Sequence, residues 1–86
     1  MIVQGLRAAG ATVRILNETD LPDILAGYQG RTFLIEIKDG SRYPSQRRLR
    51  AGQQRFFDGW NGGPLIKAET MGDAFRALGI ELETGD

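Results

Sequence analysis

The run Arg-Thr-Phe-Leu-Ile-Glu-Ile-Lys at residues 31–38 constrains the fold more than any other stretch of the chain. Thr32, Phe33, Leu34, Ile35 and Ile37 are the β-branched, aromatic and apolar residues of a strand. Side chains alternate faces along a strand. Phe33, Ile35 and Ile37 therefore share one face and form part of a core. Leu34, Glu36 and Lys38 share the other, which puts a carboxylate and an ammonium side by side on the chain's strongest strand.

The rest of the chain reads as short elements around that strand. Ile2, Val3, Leu6 and Ala9 mark one face of a helix over residues 2–9, stopped by Gly10. Residues 11–16 form a short apolar strand, and residues 17–21 a polar turn. Pro22 opens a second strand over residues 23–26, a position where its missing N–H is tolerated. Residues 27–30 turn the chain into the strand at 31–38, and residues 39–45, with Gly40 and Pro44, form a loop. Residues 46–60 read as a helix carrying Leu49, Gln53, Phe56, Phe57 and Trp60 along one side. At that spacing the aromatics are expected in the core. Gly62–Pro64 breaks the helix and residues 65–68 form a strand. Thr70 caps a last helix over 71–78 that ends at Gly79, and the acidic tail at 80–86 is expected to fray. The order is α-β-β-β-α-β-α. Three consecutive strands predict an antiparallel meander, and the helix before the fourth strand lets that strand add in parallel. The expectation is an α/β fold with a small mixed sheet flanked by helices, in a single domain over residues 1–86.

Composition narrows the chemistry. The 86 residues include no cysteine and no histidine. That excludes thiolate nucleophiles, zinc–thiolate sites and imidazole bases, so any chemistry runs on carboxylates, Lys, Arg, hydroxyls and amides. No basic segment leads into an apolar run, and no stretch approaches the roughly 20 apolar residues of a membrane span. No membrane partner and a cytoplasmic location are expected, in a bacterial or phage-infected host cell. Net charge is zero but unevenly spread. Lys38, Arg42, Arg47, Arg48, Arg50 and Arg55 sit in one stretch against a single acid, Asp39. Arginines of this density read either as a solvated surface or as a grip on a phosphate backbone. Tyr43 lies within the same stretch. Gly62-Gly63-Pro64 is a turn, because no Lys-Ser/Thr follows as a phosphate loop requires.

A second carboxylate joins Glu36. A two-residue turn flanked by Gly27 and Gly30 would place Asp23 opposite Leu34, with Glu36 as its diagonal neighbour on the same face. Diagonal neighbours lie about 7–8 Å apart, close enough for two carboxylates to share a cation. Oxygen ligands of this kind select Mg²⁺ or Mn²⁺. Lys38 stands beside them. On spacing alone, an exposed Glu–Lys pair and a turn Asp fit as well.

Pro22-Asp23 followed by Glu36-Ile37-Lys38 resembles the PD-(D/E)XK nuclease motif. More narrowly, the chain resembles the small VRR-NUC nuclease domains of phages and prophages. The likeness runs over nearly its whole length: residues 6–10 resemble the end of that family's first helix, 21–25 its metal-binding strand, 33–40 the next strand, and 49–60 its glutamine-bearing helix. The resemblance implies a restriction-endonuclease-like core. It implies Asp23, Glu36 and the Ile37 carbonyl as metal ligands for Mg²⁺ or Mn²⁺, and Lys38 as the catalytic lysine. The helix glutamine falls on Gln53, with Gln54 one residue away. Gln53 shares a helix face with Phe57 and Trp60, which favours it. Where the family carries an acid on its first helix, this chain has Gln4. Either the acid lies upstream of Met1 or the site has fewer charged ligands. The implied activity is a metal-dependent endonuclease on DNA, selective for structures such as Holliday junctions or flaps and working as a homodimer. Arg42, Tyr43, Arg47, Arg48 and Arg50 would hold the nucleic acid. The alternative is a catalytically inactive DNA-binding module of the same fold.

Overall fold

The computed structural model describes residues 2–38 and 48–81. The elements follow the expected order: α1 (Ile2–Ala8), β1 (Thr12–Ile15), β2 (Ile24–Tyr28), β3 (Arg31–Ile37), α2 (Ala51–Gly59), β4 (Leu65–Ala68) and α3 (Met71–Leu78). They form a small α/β structure around one four-stranded mixed sheet in the order β1-β2-β3-β4. The first three strands run antiparallel, and β4 lies parallel to β3 after a crossover that contains α2.

The hairpin register differs from the sequence expectation. The two central turn residues are Gln29 and Gly30, not Tyr28 and Gln29. Both have positive φ, 50° and 78°. Paired positive φ angles give the turn a twist matching that of the flanking strands. Gly27 stays in the strand opposite Thr32, and Ile24 pairs with Ile35. Continuing that register by one step brings Asp23 directly opposite Glu36 instead of Leu34.

One face of the sheet carries the apolar core. Val13, Ala26 and Phe33 lie across neighbouring strands, as do Ile24 and Ile35. Leu6 from α1 and Ala74 and Leu78 from α3 close over them. Leu6, Ile24, Phe33 and Ile35 are all fully buried. Each contributes roughly 1.5–3 kcal/mol by leaving water. At 7 residues α1 is too short to persist alone, so its helicity depends on this packing. The start of α3 is set locally: Thr70 Oγ1 accepts from the Asp73 N–H at 3.0 Å, and Asp73 Oδ2 accepts from the Thr70 N–H at 3.2 Å. Gly79 ends it in the left-handed conformation, φ 81°.

α2 reaches the opposite face through Gln53, its one buried residue, which bonds Glu36. The aromatics of α2 depart from expectation. Trp60 is 40% exposed and stacks on Phe56 at a ring separation of 5.4 Å instead of entering the core. Its indole N–H donates to the Gly63 carbonyl at 2.7 Å. The helix begins at Ala51, with residues 48–50 non-helical. Among the described residues no helix is long and apolar enough to cross a membrane.

Candidate functional site

The α2-facing side of β3 gathers the charged residues. Asp23 stands one residue before β2, behind the fully buried Pro22, whose ring fixes the backbone there. Its main chain is held from one side, where the Leu16 N–H donates to the Asp23 carbonyl at 2.8 Å. Its side chain is held from the other, where the Ile37 N–H donates to Oδ2 at 2.7 Å. The second carboxylate oxygen makes no hydrogen bond among the described residues.

Glu36 is 2% exposed, and Gln53 reaches it from α2 with 4% exposure. Gln53 Nε2 donates to Glu36 Oε2 at 2.8 Å. Lys38 Nζ lies 3.2 Å from the same oxygen and donates to Gln53 Oε1 at 3.2 Å. The Arg50 N–H donates to Gln53 Oε1 at 2.9 Å. The three side chains thus close a ring, and the glutamine amide fixes both its partners and its own helix start. Alternation along β3 explains why Glu36 and Lys38 share a face. The amide of Gln53 suits the gap because it offers a donor to the carboxylate and an acceptor to the ammonium.

One atom is left out of the ring. Among the described residues, Glu36 Oε1 is buried without a hydrogen-bond partner. Burial is the largest influence on this carboxyl and pushes its pKa up. The Lys38 hydrogen bond pulls it back, and the neighbouring Asp23 charge raises it again. A buried carboxylate with one unsatisfied oxygen and a like charge nearby is an unfavourable arrangement that a cation would relieve. Hard oxygen donors fit Mg²⁺ or Mn²⁺, so the donor set agrees with those metals.

The other expected residues divide clearly. Gln54 is exposed and bonds Asp58 Oδ1 at 2.8 Å, so Gln53 and not Gln54 belongs to the cluster. Gln4 is exposed on α1 and makes no side-chain hydrogen bond among the described residues. Ile2 and Val3 of α1 line an open cavity of about 300 Å³ with Ile37, Lys38 and Glu69. Among the described residues no hydrogen bond joins Gln4 to Asp23, Glu36, Lys38 or Gln53. Arg48 and Arg50 are exposed just before α2. Arg42, Tyr43, Arg47 and Asp39, like the acidic tail from residue 82, lie outside the described residues.

One contact was not legible in the sequence. Asp20, placed in the polar turn, adopts φ 71°. Its carboxylate lies against Gly52, where a Cβ would collide with it. The preference of Asp for left-handed positions was a usable signal, but nothing in the spacing pointed to a partner in α2. No family model, curated protein or solved structure matches this chain, so its functional reading rests on the chemistry of these residues.

Proposed function

We propose that the chain is a metal-dependent DNA endonuclease with a restriction-endonuclease-like core of the VRR-NUC kind, hydrolysing phosphodiester bonds. The observation that carries this reading is the buried Glu36 with its unpartnered Oε1, joined through Gln53 to Lys38. Asp23, Glu36 and the Ile37 carbonyl would hold Mg²⁺ or Mn²⁺. Such an ion supplies charge neutralisation at a phosphate oxygen and lowers the pKa of water. The protein's own residues do the rest. Lys38 uses two of its three N–H donors on Glu36 and Gln53, which leaves one for an anionic phosphate oxygen. Gln53 Oε1 gives the ammonium a second acceptor beside Glu36 and keeps it aimed. The Ile37 N–H holds the Asp23 carboxylate in one orientation. Arg48 and Arg50, with Arg42, Tyr43 and Arg47, would grip the backbone of branched DNA such as a junction or flap. Phosphate contacts read shape more than sequence. A homodimer would place two such sites for paired cuts.

A second reading has its own support. Gln4 supplies no acid, and among the described residues no group of three or more acidic side chains is arranged to hold a metal. A DNA-binding module without cleavage would follow. Incubating four-way junction, flap, duplex and single-stranded DNA with Mg²⁺, Mn²⁺ or EDTA separates the two. The nuclease reading expects cutting that needs the metal and falls roughly 100-fold or more in Lys38→Ala. Salt-sensitive binding without any cutting would establish the module instead.

A further inference from the structure

We propose that Asp20 is the positioning residue that sets α2, and through it Gln53, over the site. α2 has no acidic residue in its first turn, and Gln53 Oε1 accepts from the Arg50 N–H at its start. The partial positive charge of a helix start favours a carboxylate placed against it. The carboxylate that arrives there comes from the β1–β2 connection. Asp20 lies against Gly52, the second residue of α2 and the neighbour of Gln53. A Cβ at position 52 would collide with the Asp20 carboxylate and push it aside. Asp20 holds this position with φ 71°, a left-handed conformation that Asp adopts more readily than most non-glycine residues. Three residues later the same connection delivers Asp23. One short segment thus places a carboxylate at the site and a second against the helix that completes it. Asp20 need not touch substrate for this. It acts through the helix.

The catalytic part of this inference rests on the nuclease reading, and the structural part does not. Asp20→Gly is the informative variant, because glycine eases the left-handed backbone while removing the carboxylate. NMR of the side-chain amide of Gln53 reads the position of α2 directly. In Asp20→Gly that amide is expected to lose its buried signature and exchange about tenfold faster, together with the first-turn amides of α2. Gly52→Ala approaches the same contact from the helix side. Alanine normally favours a helix over glycine. Here it is expected to lower Tm in the native background and to raise it in the Asp20→Gly background. If cleavage is found, Asp20→Gly should lower kcat about tenfold with KM for DNA kept, because the ammonium and carboxylate lose alignment and not substrate contacts. An unchanged Gln53 amide in Asp20→Gly would overturn the proposal. So would a Gly52→Ala effect of the same sign and size in both backgrounds. Absence of cleavage by the native chain would sink the nuclease reading while leaving the NMR and Tm arms decisive for Asp20.

Discussion

Gln53→Ala is the perturbation the structure constrains most tightly. Three hydrogen bonds end on this one side chain, two of them to ionic groups: Nε2 to Glu36 at 2.8 Å, and Oε1 from Lys38 at 3.2 Å and from the Arg50 N–H at 2.9 Å. A neutral hydrogen bond contributes about 1 kcal/mol net, and one to a charged group about 1.5–3 kcal/mol. The Glu36–Lys38 pair survives the substitution and recovers part of the loss. The expected destabilisation is about 3 kcal/mol at neutral pH. Against a total stability of roughly 5–15 kcal/mol that is a large fraction. At about 4–8 °C per kcal/mol for a domain of this size, Tm should fall by about 15 °C. The loss should also depend on pH. Without Gln53 the ionised Glu36 loses a stabilising donor, so its pKa climbs further above the ordinary value of 4.5. A carboxyl whose pKa is raised by folding contributes stability that is full below its unfolded pKa and is lost as pH rises through its folded pKa. The variant's penalty must therefore grow from pH 4 to pH 7. Urea unfolding followed by circular dichroism at both pH values measures it. Gln54→Ala, at an exposed position, serves as the control and should change stability by less than about 0.5 kcal/mol. A Gln53→Ala penalty below about 1 kcal/mol at pH 7, or one equal at both pH values, would refute the reasoning.

Other consequences follow from the same contacts. Glu36→Gln removes the raised titration, so the stability of the native chain relative to this variant should decline as pH rises above about 4.5, as read from Tm in a pH series. A relative stability that rises with pH would contradict the burial argument. At the other end of the fold, Asp73→Asn weakens the cap of α3 and should cost about 1 kcal/mol at pH 7. The Glu69 N–H bond, first among its influences, holds the Asp73 carboxyl below 3.8. Its contribution is therefore present above 3.8 and lost as pH falls through the lowered value, so Tm of the variant and the native chain should converge in acid.

Local patterns made much of this fold legible. β4 and α3 begin and end at the expected residues, because Pro64, Thr70 and Gly79 each impose a boundary by their own chemistry. The alternation in β3 correctly separated Phe33 and Ile35 from Glu36 and Lys38. The hairpin register differs because Gly27 and Gly30 read as the two flanks of the turn, whereas Gly30 sits within it and Gly27 stays in the strand. The turn realised gives Gln29 a positive φ that its side chain does not announce. The error had a useful direction: the true register brings Asp23 closer to Glu36. Trp60 departs from expectation because helical spacing cannot distinguish an apolar core from a face whose buried residue is a glutamine. The contact of Asp20 with Gly52 joins residues far apart in the chain, and no local pattern encodes it.

The central claim is that Asp23 and Glu36 form a divalent-cation site, and titrating Mn²⁺ into the native chain by calorimetry, beside Asp23→Asn and Glu36→Gln, tests it most directly. The account predicts saturable binding at one ion per chain in the native protein, weakened roughly 10-fold or more in each variant. No binding by the native chain, or equal binding by the Glu36→Gln variant, would contradict it.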